Sequence, residues 1–148
     1  MYRIIWGAAA LLVATTAVQP ATADDRRACG SGTGDEAITA CSRLLALNPK
    51  DAVAYITRGI AYNAKGDLDH AIADYNKAIQ LDPKDADTYN NRGEAYEAKN
   101  DPPHALADFD QALKLDPSLA GARQGRERMQ GLLAKRPNPG AQTNSPAK

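Results

Sequence analysis

Residues 52–85 read AVAYITRGIAYNAKGDLDHAIADYNKAIQLDPKD, and residues 86–119, an equal stretch, read ADTYNNRGEAYEAKNDPPHALADFDQALKLDPSL. Laid over one another, the two stretches agree at Tyr55 and Tyr89, Arg58 and Arg92, Gly59 and Gly93, and Tyr62 and Tyr96. The agreement continues through Asp67 and Asp101, His70 and His104, Ala71 and Ala105, Asp74 and Asp108, Tyr75 and Phe109, Ala78 and Ala112, and Leu81 and Leu115. Pro49, Pro83 and Pro117 keep the same thirty-four-residue interval, each inside a Leu-Asn/Asp-Pro triplet. A fixed period of this length identifies a stacked-repeat architecture before any secondary structure is assigned.

Within one period the pattern is that of two antiparallel helices. Asp51 and Asp85 stand where an N-cap is needed, and Tyr55, Gly59 and Tyr62 recur at i, i+4, i+7 to make one buried stripe. Lys65-Gly66-Asp67-Leu68 then supplies a glycine for a left-handed C-cap and an aspartate for the next N-terminus. Lys99-Asn100-Asp101-Pro102 does the same with asparagine and an early proline. The second helix is predicted over Leu68 to Leu81, with Ala71, Ile72, Tyr75, Ala78 and Ile79 on one face, and it ends before a proline.

These signatures resemble the tetratricopeptide repeat (TPR) family: an aromatic early in the first helix (helix A), small-x-x-aromatic from Gly59 to Tyr62, alanine opening the second (helix B), then aromatic, alanine and a closing proline. The resemblance covers 52–85 and 86–119 as complete copies and 35–51 as a partial copy with helix B only, in which Ala37, Cys41 and Leu44 fall at the expected places. No helix A is recognisable before it. The fold class implied is all-α: a short right-handed α-solenoid of TPR helix hairpins, whose concave face receives peptide segments. A C-terminal capping helix is expected over 118–135, with Ser118 as its cap and Leu119, Ala122, Met129, Leu132 and Leu133 as its apolar set. The tail 136–148 is rich in Pro, Asn, Gly, Ser and Ala and is expected to be disordered.

At the other end, 1–23 has the parts of a secretory signal peptide. Arg3 is the positive region, Ile4 to Val18 the apolar run, and Ala21-Thr22-Ala23 the small-x-small cleavage site, so that the mature chain begins at Asp24. The apolar run, about 15 residues, falls short of the roughly 20 needed to span a bilayer. A retained anchor is the alternative. The chain has two cysteines, Cys29 and Cys41. In an exported chain a disulfide is their expected fate, one that pins the segment 24–34 over the exposed flank of the partial repeat. With about a dozen residues in the loop, closure contributes on the order of 2–3 kcal/mol in the chain-entropy model. Localisation is expected to be periplasmic or secreted, the periplasm being favoured because the family resemblance and the signal suit a bacterial envelope protein.

Lys and Arg number 18 and Asp and Glu 18 in 148 residues, so the chain lacks the basic footprint that nucleic acid or an anionic membrane surface requires. No catalytic, cofactor or metal site is expected. The run Gly30-Ser31-Gly32-Thr33-Gly34 has neither a preceding strand nor a following Gly-Lys-Ser/Thr to make it a phosphate loop. His70 and His104 occupy equivalent positions, but a metal would need further ligands. No Ser sits in a nucleophile elbow and HExxH is missing. Arg58 and Arg92 are expected to pair with Asp74 and Asp108 on helix B of the same copy, with anion capture as the competing role. On that reading Arg58→Leu destabilises little and Asp74→Ala more.

The candidate binding residues are those of helix A off its packing stripe. They are Val53, Ile56, Thr57, Ile60 and Asn63 in the first full copy, mostly apolar, and Asp87, Asn90, Asn91, Glu94 and Glu97 in the second, polar and acidic. Such a graded groove suits another protein's peptide segment with an apolar anchor and a basic or amide-rich part. Ile56 and Ile60 stand where TPR domains that clamp a C-terminal carboxylate need Lys and Asn, so that specificity is not implied. The chain is thus expected to be a non-enzymatic interaction module of the cell envelope. The alternative is a self-associating structural protein, a homodimer in which Ile56 and Ile60 are buried between protomers.

Overall fold

A computed structural model describes residues 21–31 and 34–135, all of whose regular structure is helical. In chain order the elements are α1 (Ala23–Ser31), α2 (Gly34–Leu47), α3 (Ala52–Ala64), α4 (Leu68–Leu81), α5 (Ala86–Ala98), α6 (Pro102–Leu115) and α7 (Ala120–Lys135). Most of the expected signal peptide, the middle of the Gly30–Gly34 run and the tail 136–148 lie outside the described residues.

The helix ends follow from local chemistry. Asp51 accepts from the Ala54 amide and Asp85 from the Asp87 amide, while Asp67 and Asp101 accept from the amides of His70 and His104. Each cap satisfies a donor that the first turn leaves without an intrahelical partner. Gly66 (φ 79°) and Asn100 (φ 58°) take the left-handed conformation that reverses the chain between helices.

Packing repeats with the sequence. α3 lies against α4 and α5 against α6, with Tyr75 and Phe109 buried at the centre of each hairpin. The rings press on Gly59 and Gly93, where a Cβ would sit 2.7 and 2.9 Å from the nearest ring carbon. Ala54, Ala61, Thr88 and Ala95 are buried on the opposite side of their helices, where hairpin meets hairpin. These small residues let the α-solenoid stack closely, and α7 closes its end by burying Ala122 and Met129 against Ala105, Phe109 and Ala112.

Two expectations are corrected. The segment before α2 is helical: α1 is a nine-residue helix A, and α1 with α2 makes a third, shortened hairpin. Thr22 and Asp25 start it with a reciprocal capping box. The Asp25 amide donates to Thr22 Oγ1 (3.2 Å) and the Thr22 amide to Asp25 Oδ2 (2.7 Å). Ser118, for its part, does not cap α7. Its hydroxyl donates to Asp116 (2.7 Å), and the helix begins at Ala120.

Candidate functional site

Among the described residues, α3 touches α1 and α5, and α5 touches α7, whereas α2, α4 and α6 do not touch one another across repeats. A stack whose odd-numbered helices approach more closely than its even-numbered ones curves with the odd helices inside, so α1, α3, α5 and α7 line the concave face.

The stripes of α3 that face α4 and α2 consume Tyr55, Gly59, Tyr62, Ala54 and Ala61. What remains toward the groove is apolar: Val53 is 70% and Ile60 48% exposed, with Ile56, Thr57 and Asn63 half-buried beside them. On α5 the acids Asp87 and Glu94 are exposed and Asn91 is half-buried. The other two α5 candidates lie against α7. Glu97 accepts two hydrogen bonds from Arg128 on α7 (2.7 and 2.8 Å). Asn90 donates to Glu94 (2.9 Å), and its Oδ1 is buried without a partner beside Gly121 of α7.

Two hollows of about 200 and 260 Å³ open between α1 and α3. The first is lined by Arg26, Cys29, Gly30, Leu44, Asp51 and Val53, with Ala54 and Thr57 behind. The second adds Ser31, Gly34, Ile60, Ala61 and Ala64, and both share Gly30 and Thr57. Sequence reasoning missed the contribution of α1 because no helix A was assigned there. The Thr22-x-x-Asp25 capping box was the signal that could have revealed it.

Cys29 and Cys41 are joined, with their Cα atoms 4.9 Å apart. Both are buried in the cluster of Ala40, Leu45 and Ala54, so the bond ties α1 to α2 beneath the first hollow. Asp25, also buried, is linked to Arg43 of α2 (3.0 Å). The Thr22 amide, and after it the Arg43 guanidinium, hold the Asp25 carboxyl below the ordinary carboxylate range.

The arginine of each full repeat is engaged on both sides. Arg58 forks onto Asp74 (Nε 2.7 Å, Nη2 2.8 Å) and reaches back to Ser42 of the preceding hairpin (2.9 Å). Arg92 repeats this with Asp108 (2.8 and 2.6 Å) and Asn76. The hydrogen bonds to Asp74 and Asp108 push both guanidinium pKa values further up. Each arginine also lies over the tyrosine one turn before it, Tyr55 at 5.7 Å and Tyr89 at 5.6 Å. Each guanidinium thus makes three hydrogen bonds, two to helix B of its own repeat and one to the preceding hairpin, and ties hairpin to hairpin.

His70 and His104 are spent in the same repetitive way. Each Nδ1 lies against its capping aspartate, Asp67 (2.8 Å) or Asp101 (2.7 Å), and each ring stacks at 5.0 Å on Tyr62 or Tyr96. The contact with His70 lowers the pKa of Asp67. Among the described residues no three His, Cys, Asp or Glu side chains gather as metal ligands would, and no helix is long and apolar enough to cross a membrane.

Residues 59–100 match a TPR-repeat family model, and residues 86–119 match the tetratricopeptide repeat model. No curated protein sequence is significantly similar to the chain. Among solved structures, the first TPR of Spaghetti (RPAP3) bound to the HSP90 peptide SRMEEVD superposes with a TM-score of 0.70 at 25% identity, covering 75% of this chain and 88% of that one. The Arabidopsis OM64 TPR domain superposes with a TM-score of 0.68 at 27% identity, over 73% and 89% of the two chains. The first TPR domain of human RPAP3 gives 0.69 at 25% identity, over 75% and 87%.

Proposed function

From a chain built of tetratricopeptide hairpins, we propose a non-enzymatic interaction module that binds a segment of another protein along its concave face. The observation that carries this reading is the inner surface itself. Val53 and Ile60 are exposed on α3 with half-buried Ile56 beside them, and the exposed acids Asp87 and Glu94 follow on α5. An extended peptide crossing α3 and then α5 would seat apolar groups first and basic or amide groups second. That the Spaghetti domain of similar fold holds an HSP90 peptide adds weight. Residues 56 and 60 are isoleucines, so a carboxylate-terminated tail of that kind is not the guest proposed for this chain.

Light-scattering mass across a concentration series, followed by binding of peptides to the monomer, tests the reading. A monomer whose peptide binding is lost in Ile60→Glu supports it. A stable dimer that Ile60→Glu dissolves would assign the face to self-association instead, and the two exposed aliphatic side chains favour that as the second reading.

We also propose that the chain works after export, in the periplasm or outside the cell. The support is the signal-like 1–23 together with the Cys29–Cys41 bond, which persists only under oxidising conditions. Thiol labelling of the protein taken directly from cells checks this. Free thiols at both positions would rule it out.

A further inference from the structure

We propose that the two hollows between α1 and α3 form one anchor trough for a single large apolar side chain of a basic peptide, and that the Cys29–Cys41 bond positions the trough's α1 wall. The inference rests on the concave-face reading and says where on that face affinity resides and what it depends on.

The trough has a floor of Thr57 and Ala61, an apolar rim of Val53 and Ile60, and a far wall of Cys29, Gly30 and Ser31. Its hollows of about 200 and 260 Å³, joined at Gly30, leave room for a bulky side chain, and Val53, Ala54, Ile60 and Ala61 give them an apolar lining. Gly30 lies inside a helix, where glycine is unfavourable, yet a Cβ there would meet nothing within 4 Å. No packing constraint requires glycine at this position. The missing side chain instead leaves the two hollows joined, since Gly30 lines both.

Charge selects the rest of the guest. Among the described residues Asp87 and Glu94 form no ion pair, and both are exposed on α5, the next helix along the groove. At the opposite mouth Arg26 and Asp51 balance one another. A peptide with its apolar residue in the trough and lysines toward α5 therefore meets matching charge along its length.

Only Asp25 and Cys29 of α1 are buried, so the disulfide and the Asp25–Arg43 pair are its two specific ties to the body, with half-buried Ala28 packed beside them. Exchange with a dithiol reductant gives two cysteine thiols and the oxidised dithiol, with two electrons and two protons transferred. Reduction removes the stronger of the two ties while leaving α3, α4, α5, α6 and α7 untouched.

The probes are two fluorescein-labelled octapeptides, Gly-Ser-Leu-Gly-Asn-Lys-Gly-Lys and the same peptide with glycine in place of leucine. Anisotropy is measured on the oxidised protein, the dithiothreitol-reduced protein and the Gly30→Trp variant. Burying a leucine is worth more than the 1.4 kcal/mol of a tenfold change, so the leucine peptide is expected to bind at least about tenfold tighter to the oxidised protein. Gly30→Trp should fill the trough and erase that preference, because the open space around Gly30 allows the substitution without refolding. Reduction should erase it too while amide exchange in α3–α7 stays protected.

If the leucine preference survives Gly30→Trp, the anchor lies elsewhere on the concave face, and the trough is refuted while the wider reading stands. If it survives reduction, the positioning role of the cystine is refuted. Should reduction unfold α3–α7 as well, the cystine holds the whole fold and not the α1 wall alone, so its positioning role is refuted, and the Gly30→Trp result still decides the trough. If neither peptide binds at millimolar concentration, the trough and the concave-face reading fall together. A concentration-dependent dimer that Gly30→Trp abolishes would make a second copy the occupant and overturn the proposal.

Discussion

At the residue scale, the pairing of Arg58 with Asp74 was legible from their recurrence, but its energetics were not. The sequence-based expectation makes Arg58→Leu cheap and Asp74→Ala costly. Burial reverses the order. The Asp74 side chain is 8% exposed and takes its hydrogen bonds from Arg58, so removing the arginine strands a buried carboxylate, a loss of about 3–5 kcal/mol. Asp74→Ala leaves a guanidinium that is 19% exposed and still bonded to Ser42, so it should cost less. Urea denaturation of the two variants, with the larger loss expected for Arg58→Leu, checks this, and equal losses would mean that the chain relaxes enough to hydrate Asp74. Glycines give a second contrast within one helix. A Cβ on Gly125 would lie 2.4 Å from the Phe109 ring, whereas one on Gly131 would touch nothing. Gly131→Ala should stabilise by up to about 1 kcal/mol through helix propensity. Gly125→Ala should instead destabilise by about 1–3 kcal/mol through overpacking, and thermal melts that moved in the same direction would contradict the close packing of Phe109. Helical periodicity separates these two glycines, since Gly125 falls between Ala122 and Met129 on the apolar stripe and Gly131 off it, but how closely Phe109 of α6 approaches that stripe is not in the sequence.

At the element scale, the hairpins α3–α4 and α5–α6 were readable because their apolar residues recur with the helical period and their caps are spelled out in aspartate, glycine and asparagine. α1 was not, for a physical reason. It is short and hydrophilic and buries only Asp25 and Cys29, so it leaves no apolar stripe to find. Its hold comes from the Thr22–Asp25 capping box within the helix and from the disulfide and the Arg43 pair that tie it to α2. This bears on the expected cleavage after Ala23, which would remove Thr22. A chain beginning at Asp24 should lose a cap worth about 1 kcal/mol to this helix, and amide exchange in α1 should be faster than in a chain beginning at Ala21. The pH dependence follows with a definite sign. Because the folded state lowers the Asp25 pKa, this carboxylate contributes its stability fully above the ordinary carboxyl range of about 4 and loses it as pH falls through the depressed value. Without Thr22 the depression shrinks and the loss moves to higher pH. Side-chain NMR titration of Asp25 in the two chains measures the shift, and identical titrations would show that the capping box does not form.

At the scale of the whole molecule, the array formed by the described residues stands near the minimum that such stacking allows, about three repeats, with α1–α2 a reduced unit and α7 a single helix packed on the hairpin α5–α6. The groove's layout was partly legible, because apolar and acidic residues separate between the two copies. What could not be read was how far α7 extends over α5, since that depends on stacking geometry. It is α7 that withdraws Glu97 and Asn90 from the binding face and leaves Asp87 and Glu94. The same helix seals the core, because Phe109, Ala105 and Ala112 are wholly buried in the cluster that includes its Ala122 and Met129. A chain ending at Leu119 would lose Met129 from that cluster and open one side of Phe109. Full burial of such a side chain is worth about 1.5–3 kcal/mol, so with Met129 lost and Phe109 partly opened the truncated array should be about 2–4 kcal/mol less stable. For a domain of this size that lowers the melting temperature by roughly 8–16 °C. Truncation should also expose α5 and restore Asn90 and Glu97 to solvent, so a basic peptide should bind relatively better at α5 in whatever fraction stays folded. A melting temperature unchanged by the truncation would mean that the stack closes on α6 alone, and the boundary of the groove would then have to be redrawn without α7.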